Sequence, residues 1–271
     1  MIFMKKTKKL FNIFLRYLKM DMMYDLSSRT SFMIMVGVEV FYVVASMIFF
    51  NVLYGNIKTL VGWSYYEMLL LVGFDTVMTE LLIGFIFANG TNALPKRITT
   101  GYVDYFLLKP VPSYFLLNFV QPYFPSLVST GFGFLLMGIA LTHLSIPLSV
   151  LTIVGTLILA GCGFAIGASI MIIVASLAFK FSDAKTLPRI GMNTVIFFSD
   201  KPHHMFNNVI LKSIFFLIIP AVFLSSIPMY SLTHGIAPSY LISALILAFV
   251  FIHMSKKIWD RMIINYTSAS S

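Results

Sequence analysis

Residues 148–177 read LSVLTIVGTLILAGCGFAIGASIMIIVASL. No charged side chain interrupts them. As a helix this stretch reaches about 45 Å, more than the roughly 30 Å of bilayer hydrocarbon. Such a segment suits a membrane-spanning helix that tilts or projects beyond the bilayer. Working outward, five further stretches are long and apolar enough to cross, at about 32–54, 66–88, 122–141, 209–227 and 238–253. Pro122 and Pro125 blur the start of the third span. Pro220 and Pro228 interrupt the fifth, which leaves a re-entrant segment within 217–237 as the alternative to a straight crossing.

Composition agrees with this reading. Of 271 residues, 59% are apolar and only 11% are charged, and the mean hydropathy is +0.91. A soluble domain carries roughly a quarter charged residues. This chain has too little charge to cover a water-facing surface, which excludes a soluble enzyme, a disordered tail and a nucleic-acid module. Its 19 Lys and Arg against 10 Asp and Glu give a net charge of +9. In so apolar a chain that excess belongs to the cytoplasmic flanks of spans. The single Cys162 excludes an intrachain disulfide and leaves the redox compartment open.

The basic residues also orient the chain. With the N-terminus in the cytoplasm, 18 of the 19 fall on inside segments, Lys201 and Lys212 among them, and only Lys58 lies outside. An odd number of spans destroys this split. The expectation is one all-α polytopic membrane domain over 1–271, with six transmembrane helices and both termini cytoplasmic.

The first 20 residues do not read as a cleaved signal peptide, because Arg16 and Lys19 break the apolar run and no small-residue cleavage site follows. Phe11, Phe14, Leu15 and Leu18 recur at helical spacing, while Lys5, Lys8, Asn12, Arg16 and Lys19 fall on the other side. That pattern predicts a basic amphipathic helix over 4–20 along the inner leaflet, either a topology anchor or a mechanical part.

Catalytic signatures are missing. The sequence has no G-x-x-x-x-G-K-[ST] loop, no H-E-x-x-H and no G-x-S-x-G elbow. Its five histidines have only His203 and His204 adjacent, and neighbours in sequence do not share a helix face. The chain reads as non-catalytic, with no metal site of its own and with energy supplied by an ion gradient or a partner.

The second inside segment, which includes 92–110, reads LPKRITTGYVDYFLLKPVP from Leu94 to Pro112. It mixes charge with large apolar residues and is bounded by prolines. Gly101 ends one short helix or allows a tight turn. A stiff, partly apolar loop of this kind either docks on another protein or floats on lipid headgroups. Lys96, Arg97 and Asp104 are candidate polar contacts for docking, and Phe106 and Leu107 candidate apolar anchors.

The stretch Ile98-x-x-Gly101-x-Val103-Asp104-x-Phe106-Leu107-Leu108-Lys109-Pro110 resembles the loop signature of the ABC type-2 exporter permeases. Trp259 followed by Tyr266-Thr267-Ser268-Ala269 resembles that family's closing pattern, and the segment from Lys201-Pro202 through Ile219-Pro220 to Ile227-Pro228 its fifth-span region. The polar run Asp200-Lys201-Pro202-His203-His204 departs from the more apolar sequence expected there. The resemblance implies six spans without a nucleotide site, and a pairing with a second six-span permease, related or identical. It implies two cytoplasmic ABC ATPase subunits, which hold the ATP and Mg. It implies that 92–110 supplies the coupling helix and that the N-terminal helix is a connector. It also implies export of hydrophobic or amphipathic molecules such as drugs, antimicrobial peptides or lipid-like compounds.

Ionisable side chains inside spans are costly unless they face water or a partner. Glu67 lies near the outer end of the second span and reaches the interface. Asp75 is near mid-span, and Glu39 and Glu80 sit roughly 10–12 Å in from the inner ends of their helices. Two readings stay open. Glu39, Asp75 and Glu80 line a transport pathway for cationic or amphipathic cargo, or each carboxyl is protonated by burial or bonded to a Ser or Thr across a helix contact. Asp75 and Glu80 lie about 140° apart on a helix, so both do not face one narrow pore. The alternative to an ATP-driven permease is a proton-coupled secondary transporter using these carboxylates. The first and last three spans show no repeat of the kind such folds often carry.

The glycines Gly131, Gly133 and Gly138 of the third span, and Gly155, Gly161, Gly163 and Gly167 of the fourth, suggest close packing within one protomer. Tyr42, Tyr54, Trp63, Tyr65 and Tyr66 cluster toward the outer ends of the first two spans, as interface anchors do.

Overall fold

The computed structural model describes residues 2–27, 29–119, 122–146, 149–181, 184–205 and 213–266. The described chain is mostly helical and has no strands, with one isolated bridge between Leu60 and Trp63. Among the described residues, five helices are long and apolar enough to cross a membrane: Arg29–Tyr54, Tyr65–Ala88, Pro125–His143, Val150–Phe179 and Pro238–Asn265. In chain order, α1 is Ile2–Ser27, α2 Arg29–Tyr54 and α3 Tyr65–Leu82, which continues as a π-helical segment Ile83–Thr91. Next come α4 (Leu94–Thr99), α5 (Tyr102–Leu107), α6 (Ser113–Phe119), α7 (Pro125–His143) and α8 (Val150–Ser176). The last three are α9 (Leu187–Ser199), α10 (Ser226–His234) and α11 (Pro238–Met262).

Local chemistry sets the helix starts. The Glu67 carboxylate accepts from the Ser64 backbone N–H at 2.8 Å and caps α3. Ser149 Oγ accepts from the Thr152 N–H at 3.1 Å and caps α8. Proline stands in the first turn of α4, α7, α9 and α11, where its missing N–H removes nothing.

The core forms around α3, which is buried almost all round. Its main partner is α7, and glycines set their separation. A Cβ on Gly73 would stand 3.0 Å from the Gly133 carbonyl oxygen, and one on Gly133 would stand 2.8 Å from that of Gly73. Gly161, Gly131 and Gly138 face open space instead, so only part of the small-residue pattern is packing surface. The faces of α2 and α11 carry exposed Val38, Phe41, Phe49, Leu245, Ile246 and Phe249, as lipid-facing helices do.

The stretch 209–227 does not form the predicted continuous span. Residues 209–212 lie outside the described residues, and Ile214–Ile218 is a short π-helical turn. A break at Ile219–Pro220 and a 3-10 turn Ala221–Phe223 follow. Pro220 removes a donor and fixes its own φ, so the helix does not pass through it. The passage along α8 is made by two half-helices instead. Gly191 of α9 meets Val174, and Val195 and Leu224 both meet Gly167. Phe223 meets Gly163, and Ile236 meets Gly155. From α9 to α10 the chain thus climbs α8 from its Ser176 end to its Val150 end, by way of an excursion whose Phe223 and Leu224 lie against the middle of α8. Thirteen and nine residues of helix add to about 33 Å, close to the roughly 30 Å of bilayer hydrocarbon.

This placement corrects the assignment of Lys201 to an inside loop. It follows Ser199 at mid-depth, paired with Asp200 at 2.6 Å. Neutralisation by its sequence neighbour makes that depth tolerable. Lys212 lies outside the described residues.

The N-terminal helix is longer than 4–20 and turns a different face to the protein. Ile13 and Tyr17 pack on the core, and Phe14 meets Phe85 edge-on at 5.5 Å. Leu18 is half-buried, Leu15 is exposed, and the side chain of Phe11 lies outside the described residues. The helix therefore has two apolar faces, one toward the bundle and one turned away.

Candidate functional site

The stretch 92–110 folds as two short helices, α4 and α5, joined at Gly101. Gly101 has φ +69°, a left-handed conformation that costs glycine little and other residues more. The inward side of this hairpin holds Leu94, Val103 and Phe106, all fully buried. Arg97 is buried with them, at 7% exposure. Its Nη1 donates to the Leu117 carbonyl oxygen at 3.1 Å, and its guanidinium carbon stands 5.3 Å from the centre of the Phe106 ring. Burial pulls the Arg97 pKa down from its ordinary value, while Tyr102 and Tyr17 oppose that shift.

The end of α11 braces the same hairpin. Trp259 is fully buried, with ring centres of Phe179 at 5.2 Å and Tyr114 at 5.8 Å. Tyr266 packs on Phe179 and lies beside the Asp104 carboxylate. Burial, then Asp104, raises the Tyr266 hydroxyl above the ordinary tyrosine range. Residues 267–269 of the closing pattern lie outside the described residues. Ile98 lines a cavity of about 240 Å³ with Phe179, Phe181 and Tyr266.

Two of the expected docking residues therefore point the wrong way. Phe106, 1% exposed, belongs to the interior of the hairpin, and Arg97 is its buried partner. Both were expected outside because large or charged residues in a water-facing loop invite that reading. The free face holds Lys96, Leu107 and Pro110 together with Tyr102, Tyr105 and Leu108, the last 86% exposed. Lys109 is half-buried, its Nζ 4.0 Å from the centre of the Tyr105 ring. Two stripes at helical spacing were present in the sequence: 103 and 106 face in, while 102, 105 and 108 face out.

The intramembrane carboxylates separate into two places. Asp75, 7% exposed, accepts a 2.5 Å hydrogen bond from Ser225 Oγ at the break of the fifth passage. Ser199, Asp200 and Lys201 stand near it, and Tyr42 of α2 is a neighbour of both Asp75 and Asp200. The unexpected polar run folds into this break. His203 is buried; its backbone N–H donates to Ser226 Oγ at 2.9 Å, and its Nε2 lies 3.2 Å from the Tyr240 hydroxyl. Freed backbone and polar side chains at mid-depth are thus satisfied by protein. Glu39 accepts from Ser129 Oγ of α7 at 2.7 Å, and Glu80 is its electrostatic neighbour. Both are half-buried. Glu67 stands 3.6 Å from His234 Nε2, joining the start of α3 to the end of α10.

Reading the residues alone did not find Ser225, Ser226, His203 or Tyr240. The available signal was a charged pair and two histidines inside an otherwise apolar region.

Bilayer-length helices, a polar break at mid-depth and a braced hairpin with an exposed aromatic crest define a polytopic membrane transport component. The chain belongs to the ABC-2 family transporter proteins, whose family model matches residues 40–270 and bears out the resemblance carried by the 98–110 signature. No curated protein and no solved structure matches the chain.

Proposed function

We propose that this protein is the transmembrane permease subunit of an ATP-binding cassette exporter, non-catalytic itself. It lies in the cell membrane with both termini cytoplasmic, paired with a second six-span permease, and moves hydrophobic or amphipathic cargo outward. Two separate ATPase subunits hold ATP and Mg and press on the α4–α5 hairpin. The observation that supports this is the crest of Tyr102, Tyr105, Leu107 and Leu108, exposed on a hairpin whose other face is locked by Arg97 and Phe106. A rigid element with a greasy free face suits transmission of force from a docked protein, because interfaces draw on aromatic anchors and packed elements move as units.

Its attachment gives the motion a route. The hairpin continues into the π-helical end of α3, whose Gly84 carbonyl accepts from the Tyr123 N–H at 2.8 Å near the start of α7. A π-helical segment is a place where helix register shifts. From there α3 leads to Asp75 and the broken fifth passage, and Glu39 and Glu80 mark the candidate cargo path toward α2.

The test is Leu107→Glu with Leu108→Glu. These side chains leave the hairpin interior untouched, so the protein folds while ATPase subunits no longer co-purify and ATP-driven export stops. Wild-type coupling in that variant overturns the proposal. For the pathway, Glu80→Gln lowers export while the complex stays assembled, and unchanged export and drug tolerance remove Glu80 from it.

A further inference from the structure

A second cavity lies away from the crest, between α1 and the chain that follows α5. Its volume is about 360 Å³. Its walls include Ile13, Tyr17, Val111 and Leu116, and two cations, Arg16 and Lys109, complete it. Among the described residues no carboxylate lines it. Lys109 is held in place by cation–π contacts to Tyr105 and Phe106, at 4.0 and 5.3 Å from the ring centres. Next to it, Phe14 of α1 packs on Phe85, close to the end of the second span. The cavity therefore opens where a bilayer headgroup region meets the protein.

We propose that this cavity binds the phosphate of an anionic phospholipid, with Arg16 and Lys109 as its ligands and the glycerol and upper acyl chain against Ile13, Val111 and Leu116. Two cations facing one small cavity, with no carboxylate among the described residues that line it, favour a phosphate, because charge-assisted bonds to phosphate oxygens are the strong ones. The apolar walls favour a lipid over a free ion, since an inorganic phosphate gains nothing from them. A bound lipid would tie α1 to the residues after the hairpin, whose Lys109 also packs beneath Tyr105. The inference rests on α1 lying at the membrane surface and on no ATPase partner, so the purified chain tests it alone.

The experiment is native mass spectrometry of the full chain released from mixed vesicles of phosphatidylglycerol and phosphatidylcholine. The expected result is retained phosphatidylglycerol and little phosphatidylcholine. Each cation removed weakens retention about fivefold, so Arg16→Gln with Lys109→Gln loses roughly 25-fold. Lys180→Gln, a cation outside the cavity, changes nothing. Arg16→Lys with Lys109→Arg keeps the lipid, and either single Gln variant carries the test should the double variant fold poorly. Retention by the Gln variants at the wild-type level, or equal retention of phosphatidylcholine, overturns the proposal. Displacement of the lipid by millimolar inorganic phosphate overturns the lipid as its source.

Discussion

The Ser225 hydroxyl donates to the Asp75 carboxylate across 150 residues of sequence, at 2.5 Å. This contact fastens α3 to the break between the two half-helices of the fifth passage. Asp75 is buried in a membrane-spanning helix, where water does not replace a lost partner.

Ser225→Ala therefore destabilises the protein by about 1–3 kcal/mol, the cost of removing a hydrogen bond from a buried carboxyl group. The measurement is thermal unfolding in detergent or nanodiscs. Ser225→Thr keeps a hydroxyl and recovers most of the loss. A melting temperature unchanged in the Ala variant refutes the contact's contribution.

Gly163 and Gly161 lie two residues apart on α8 and differ in surroundings. A methyl group on Gly163 collides with the Phe223 carbonyl oxygen, which is backbone and does not swing aside, while one on Gly161 meets nothing. Gly163→Ala should cost about 1–3 kcal/mol by overpacking. Gly161→Ala should stay within about 0.5 kcal/mol of wild type. Equal melting temperatures for the two variants contradict the packing of the excursion on α8.

Within the hairpin, Phe106→Ala removes a buried ring, a loss of about 3–5 kcal/mol in a packed core. Leu108→Ala, at a position 86% exposed, leaves the fold intact. Limited trypsin digestion reports the difference: cleavage after Lys96 and Arg97 accelerates in the Phe106 variant and not in the Leu108 variant. The opposite order means the two faces of α5 are exchanged.

Tyr266 adds an alkaline dependence. Its folded pKa lies above the ordinary value, first through burial and then through Asp104. The folded state thus holds the phenolic proton more tightly than the unfolded state. The associated stability is fully present below the unfolded pKa, near 10, and is lost as pH rises through the folded value. Tyr266→Phe should make the fall in melting temperature above that pH shallower. An identical alkaline profile in the variant excludes Tyr266 as its source.

Much of this protein follows from local order along the chain. Thirty uncharged residues at 148–177 lie almost wholly within one helix, because a run that apolar has no other low-energy environment. Gly101 marks the turn between α4 and α5, because a positive φ is a property of one residue and its neighbours. The 98–110 signature identified the family.

What tertiary contact decided is which way side chains face and where polar groups find partners. Arg97 and Leu107 look equally available in the string, yet the Leu117 carbonyl and the Phe106 ring draw Arg97 inward. The fifth passage reads as a span at 209–227, yet α8 offers a glycine gap at 163 that admits backbone from 223 and 224, and one at 167 that admits the side chains of Val195 and Leu224. Ser225 and Asp75 carry no mark of each other. Hydropathy is a sum over neighbours in the chain, whereas a buried hydrogen bond depends on neighbours in space, and only packing brings those together.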